Sequence, residues 1–289
     1  MALAGLFLIF AIIILAVSPF IRKPDVISDI RLAYGQEFLI IGAVILPLLL
    51  GKYFLMLFLL LLNIRGHLEF AGVQEKSPFN PGMVASLSAS SLIIAGISMF
   101  DANAIPGFLP VSICLSYLVI ILALLVAGRR DDVFLGCMVI IVLLACVSLV
   151  NIYRMEHGLF IVLYIYAVTE TNDTGGYVFG KIFGRRKLFP VLSPGKTAEG
   201  MLCGIFFSLV TGLLYNHLFL GESTARAIII TLVLIASAIS GDLIFSFYKR
   251  RYNRKDYTSV LAKQGGVMDI YDSFLLASIA YYLVQVTGM

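Results

Sequence analysis

Residues 133–150 read VFLGCMVIIVLLACVSLV. The run carries no charge, and its apolar residues fall on every face instead of alternating. A stretch of this kind and length reads as a helix crossing a bilayer. Arg129-Arg130-Asp131-Asp132 precede it and read as a solvated loop.

Similar runs occur along the whole 289-residue chain, at about 3–21, 37–50, 53–63, 82–100, 107–127, 158–171, 200–219, 227–246 and 268–288. The second and third abut at Gly51-Lys52 and read as two short spans or one bent one. Only 13% of residues are charged, and the mean hydropathy is +0.99. A soluble domain carries roughly twice that charge. In hydrocarbon, backbone polar groups must be satisfied within the segment or within a closed barrel. Continuous apolar runs exclude the barrel, whose strands alternate. The expected fold is therefore an all-α polytopic membrane protein, a bundle of nine or ten transmembrane helices. We divide it into N-terminal helices over 1–150 and C-terminal helices over 151–289 that carry the charged loops. The first run has no basic segment before it and is followed by Arg22-Lys23, so we read it as a helix, not a cleaved signal.

The charges are unevenly placed. With ten spans, 18 of the 21 Lys and Arg residues fall in loops of one parity, leaving Lys52, Arg154 and Arg226 in the other. Cations gather on the cytoplasmic side. This puts the loops over 172–199 and 247–267 together on the cytoplasmic face of the membrane, with both termini outside. We place the chain in a bacterial inner (cytoplasmic) membrane.

Those two loops hold the chemistry. The first reads ETNDTGGYVFGKIFGRRKLFPVLSPGKTAEG over 170–200. It interleaves acids, glycines and cations. Thr197 or Ser193 can cap the following helix, and a lysine beside a helix N-terminus suits an anion. Gly195-Lys196-Thr197 is not a P-loop, because Pro190 stands where that motif needs glycine. The second segment reads GDLIFSFYKRRYNRKD over 241–256. Asp242 lies within a span, and an ionisable group at that depth usually faces a cavity and has a partner. Asp269 and Asp272 are three residues apart, hence on one helix face. Three carboxylates at one depth suit Mg²⁺, and Lys249, Arg250 and Lys255 suit phosphates. The alternative is that Asp242 and Asp269 pair with Lys249 or Lys255 as structural salt bridges. Cys114, Cys137, Cys146 and Cys203 lie in apolar runs and read as small core residues. His67, His157 and His217 lack zinc-ligand spacing, and nothing suggests nucleic-acid binding.

At these loops the chain resembles the phosphatidate cytidylyltransferases, also called CDP-diacylglycerol synthases. The resemblance rests on DTGGYVFGKIFGRRKLFPVLSPGKTAEG (173–200), GDLIFSFYKRRYNRKD (241–256) and GGVMDIYDS (265–273). The family signature falls on Ser246, Lys249, Arg250, Lys255, Asp256, Gly265, Gly266, Asp269 and Asp272. It is broken at Ala262-Lys263-Gln264, where Pro-Gly-His is usual, and at Ile270, where Arg is usual. Phe245 and Ala198 also depart from the usual Glu and aromatic.

The resemblance implies transfer of the cytidylyl group of CTP to phosphatidate, giving CDP-diacylglycerol and pyrophosphate for phospholipid synthesis. It implies Asp242, Asp269, Asp272 and Lys249 as catalytic residues and the three aspartates as Mg²⁺ ligands, with a second cation left open. Asp173, Lys196, Thr197, Ser246, Arg250, Lys255, Asp256, Gly265 and Gly266 would bind substrates. The expected partners are CTP, phosphatidate and membrane lipids, with a homodimer suggested by the resemblance alone. A relative acting on a prenyl or ether lipid and a non-catalytic membrane paralogue are the other readings.

Overall fold

The computed structural model describes residues 39–75, 130–258 and 265–288, with isolated positions at 36, 87, 89–93 and 96. The expected spans at 3–21 and 107–127, and most of 82–100, lie outside the described residues. The described elements are α1 (Leu39–Leu50), α2 (Lys52–Val73), α3 (Arg130–Tyr153), α4 (Gly158–Phe183), β1 (Lys187–Phe189), β2 (Ser193–Thr197), α5 (Ala198–Tyr215), α6 (Thr224–Arg251) and α7 (Val267–Thr287). A π-helical turn, Asn216–Leu220, extends α5. Five of these segments, α2, α3, α5 with its extension, α6 and α7, are long and apolar enough to cross a bilayer. The chain is thus a polytopic α-helical membrane protein.

Several boundaries differ from the sequence reading. Gly51, at φ 103°, separates α1 from α2 and settles the join as two helices. A side chain would be strained there. Asp131 and Asp132 are not in a loop. They occupy the first turn of α3, where acids complement the helix dipole, and Asp131 accepts from the Tyr252 hydroxyl at 3.0 Å. The segment over 172–199 is not a loop throughout. α4 continues through it to Phe183, and a two-stranded antiparallel hairpin follows. Likewise α6 runs on to Arg251, so Lys249 and Arg250 sit on a helix.

α4 and α5 make the most extensive helix contact. Lipid tails are as apolar as leucine, so this contact rests on close packing more than on expulsion of water. Small residues four apart on each helix make it close. A Cβ at Gly200 would lie 2.5 Å from the Gly176 carbonyl and 2.7 Å from Gly180 Cα, and one at Gly204 would lie 2.6 Å from the Asn172 carbonyl. One turn further along α5, Ser208 donates to the Val168 carbonyl at 3.1 Å. Gly176 and Gly180 thus admit a facing helix. α7 packs on α6, α3 and α4, and its buried side chains, among them Phe274, Leu275 and Ala277, join α2 and α3 in one core. Cys146 is wholly buried there, while Cys137 and Cys203 are half-buried, all as free thiols.

Gly204→Val should force α4 and α5 apart. Overpacking of this kind costs about 1–3 kcal/mol, so the unfolding midpoint in detergent should fall. Gly72→Ala, where a Cβ meets nothing within 4 Å, should leave that midpoint unchanged or raise it.

Candidate functional site

Thr197 shows how local chemistry places the hairpin. It caps α5, its Oγ1 accepting from the Gly200 N–H at 3.2 Å, and the strand it ends carries Lys196. Glu199, in the first turn of α5, reaches back and accepts from the backbone N–H groups of Arg185 and Arg186, at 2.9 and 3.2 Å. Arg250 at the end of α6 donates from Nε to the Leu192 carbonyl at 3.1 Å. The hairpin is thus fastened to α5 on one side and α6 on the other. The two charged segments separated by α5 and α6 do converge.

The convergence encloses a cavity of about 760 Å³. Asp173, Lys196, Thr197, Asp242, Ser246, Lys249, Arg250, Lys255, Asp256, Asp269 and Asp272 all line it. Gly265 and Gly266, expected to bind substrate, do not. They form the turn beneath it, where Gly265 has φ 79° and a Cβ would lie 2.5 Å from Asp269 Oδ2.

Two ion pairs organise the charge. Lys196 on β2 pairs with Asp242 on α6, and Lys249 on α6 pairs with Asp269 on α7. The second pair is deeply buried, at 8% and 6% side-chain exposure. Asp269 Oδ2 also accepts from the backbone N–H groups of Gly266 (2.8 Å) and Tyr257 (2.9 Å), and Lys249 Nζ stands 5.3 Å from the centre of the Tyr257 ring. A buried carboxylate needs partners of this number and quality. Asp242 also accepts from Ser246 Oγ at 3.1 Å. Burial alone would lower the Lys196 ammonium, but Asp242 and Asp173 outweigh it and hold its pKa above the ordinary lysine value. It stays charged through neutral pH, and its contribution is lost only as pH rises past that raised value.

Asp173 and Asp272 also face the cavity, as do Glu170 and Asp256. The first two stand apart from the ion pairs. Among the described residues neither has a cation within ion-pair distance, and both feel the repulsion of Asp242. Gly241 allows this crowding, since α6 passes the Asp272 carbonyl so closely that a Cβ would lie 2.6 Å from it. The structure draws no three acidic, histidine or cysteine side chains of the described residues into a finished metal shell. The donor type still fits a hard divalent cation. The carboxylates of Asp173, Asp242 and Asp272 all act on the Lys196 ammonium, and the Ser246 hydroxyl joins them through Asp242, so oxygen donors of the kind such an ion takes are gathered on one side of the cavity.

The sequence reading passed over Glu69. It lies on α2, is 1% exposed and seats the start of α7. Its carboxylate accepts from the N–H groups of Val267 (3.0 Å) and Met268 (2.9 Å) and from Thr258 Oγ1 (3.0 Å), while Arg65 pairs with it at 3.2 Å. The available signal was an acid four residues after Arg65, at the end of a long apolar run.

The cytidylyltransferase family pattern matches residues 33–287. The chain belongs to this family. Among its relatives, the phosphatidate cytidylyltransferase of Staphylococcus saprophyticus is 32% identical over 243 residues, which cover 80% of this chain and 90% of that protein. The phosphatidate cytidylyltransferase of Staphylococcus aureus is 38% identical over 122 residues, 42% of this chain and 46% of that protein. The uncharacterized protein YnbB of Escherichia coli is 34% identical over 133 residues, 46% of this chain and 45% of its own.

Glu69→Ala would strand two N–H groups of α7 and the Arg65 charge. Each unsatisfied buried group costs about 1–3 kcal/mol. The variant should show a clearly lowered thermal midpoint in detergent, and Glu69→Gln, which keeps one acceptor oxygen, a smaller loss.

Proposed function

We propose that the protein transfers the cytidylyl group of CTP to phosphatidate, giving CDP-diacylglycerol and pyrophosphate. The observation that carries this is the cavity where the family's aspartates and lysines meet at the end of apolar helices. The relatives named phosphatidate cytidylyltransferase support the choice of substrates. A phosphate oxygen of the lipid attacks the α-phosphorus of CTP. The new P–O bond forms as the bond to the β-phosphate's bridging oxygen breaks, and pyrophosphate leaves with that electron pair. The nucleophile is already anionic, so the protein's work is positioning and charge stabilisation, with no strong base required.

In this reading Lys196 and Lys249 face the triphosphate, with Lys255 at the rim. Arg250 serves mainly by tying the hairpin to α6. Asp173, Asp242 and Asp272, with Ser246, would hold Mg²⁺, which would neutralise phosphate charge. Asp269, with both oxygens engaged by Lys249 and two backbone N–H groups, acts by fixing Lys249. We place the cavity at the cytoplasmic face of an inner membrane, in a bundle of nine or ten spans that includes α4. The uneven spread of Lys and Arg supports this orientation.

The test is transfer of radiolabel from CTP, labelled at its α-phosphorus, to a chloroform-soluble product in the presence of phosphatidate and Mg²⁺. Asp242→Asn and Asp269→Asn should each lower turnover by at least about 100-fold, the scale of losing a group that stabilises transition-state charge. Residual activity should separate them. Asp242→Asn should need more Mg²⁺ for half-saturation, whereas Asp269→Asn should not. Absence of lipid-soluble label from the folded wild-type protein would overturn the assignment.

A further inference from the structure

The hairpin has a face that the cavity does not use. Lys187, Ser193 and Lys196 line the cavity, but the turn between the strands, Pro190-Val191-Leu192, points an apolar side chain into the open, with Val191 81% exposed. Arg185 and Arg186 precede the hairpin and are exposed, as is Lys187. Among the described residues no carboxylate forms an ion pair with any of the three side chains. Glu199 holds the backbone of the two arginines and feels the Arg186 charge, while both arginines stay exposed. A folded surface that fixes exposed cations beside an exposed valine is suited to a boundary that offers anions and hydrocarbon together.

The membrane's apolar belt reaches this place. The outward side chains of α5 recur every four residues, as Leu202, Phe206, Val210, Leu214 and Leu218, and form its lipid-facing stripe. Leu202 is the fifth residue of the helix, about 7.5 Å along its axis from the end of the hairpin. Phe183, at the end of α4 and 54% exposed, stacks on Phe179, which stacks on Phe207 of α5 at 5.0 Å. A chain of ring contacts, Phe183–Phe179–Phe207–Phe206, therefore links the end of α4 to the lipid stripe near the base of the hairpin.

We infer that the 185–192 segment is a lipid-docking element, in which Val191 dips into the upper acyl region and Arg185 and Arg186 hold the phosphates of anionic lipids in the surrounding leaflet. Lys187 faces the cavity one residue on, so the same segment forms the port through which an anionic acceptor lipid passes from bilayer to site. The last step rests on the function proposed above; the docking itself does not.

The chain has no tryptophan, so Val191→Trp installs a single fluorescent probe at the tip. The variant is placed in lipid nanodiscs of phosphatidylcholine with and without phosphatidylglycerol, which is anionic but not the acceptor. Docking predicts quenching by lipids brominated near the top of the acyl chain, stronger when phosphatidylglycerol is present. Adding Arg185→Gln and Arg186→Gln should remove that increment. A probe quenched by aqueous iodide and indifferent to brominated lipid would overturn the inference. So would a probe sheltered from both, which would mean that a second copy of the chain covers the tip. Quenching that ignores the anionic lipid would remove the role of the arginines. In a turnover assay Arg185→Gln/Arg186→Gln should raise half-saturation by phosphatidate about five- to thirty-fold, the range expected for two charges at a membrane surface. Half-saturation by CTP should stay unchanged. Wild-type protein that shows lipid quenching but no turnover would sink the proposed reaction and leave the docking element standing.

Discussion

A carboxylate at the edge of hydrocarbon persists only if something nearby answers its charge, and the arrangement of α6, α7 and the hairpin follows from that need. Asp242 and Asp269 are each met by a lysine from a different element. The first pair forms only if the hairpin folds over α6, and the second only if α6 lies against α7. The site's chemistry and the packing of its walls are therefore one constraint. Replacing either aspartate therefore leaves a lysine without the carboxylate that holds it.

The second constraint is steric. Close approach of α4 to α5 depends on the absence of side chains at Gly200 and Gly204, and close approach of α6 to α7 on the same absence at Gly241. These contacts set how far apart Asp173, Asp242 and Asp272 stand. Distances between acids in the cavity are governed by glycines that never touch a ligand.

Much of this was legible in the chain itself. The apolar runs gave the class of fold because hydrocarbon forbids unsatisfied backbone, and the i,i+3 spacing of Asp269 and Asp272 put both on the cavity wall. Of the two readings of the buried acids, the ion pairs are seen: Asp242 pairs with Lys196 and Asp269 with Lys249, while Asp173 and Asp272 line the cavity without a cation at ion-pair distance among the described residues. Helix ends were harder to see. Gly175, Gly176 and Gly180 look like loop residues in sequence, yet a facing helix makes them good helix residues. The hairpin gave no alternating pattern, since its strands hold only Lys187–Phe189 and Ser193–Thr197. Glu69 showed only its spacing from Arg65. Its partners on α7 lie nearly two hundred residues away, and no local pattern signals a contact of that range.

That long contact bears on how the chain could be divided. Among the described residues every cavity-lining side chain falls between Glu170 and Asp272, which invites the view that the C-terminal half is a self-sufficient module. Glu69 contradicts it. The carboxylate that seats the first turn of α7, and so sets the height of Asp269 and Asp272, comes from α2. The early helices act as a jig for the later ones. Fragments or chimaeras that exchange the N-terminal helices must carry an equivalent acid at that depth, or they keep every reactive group and lose the frame that aligns them.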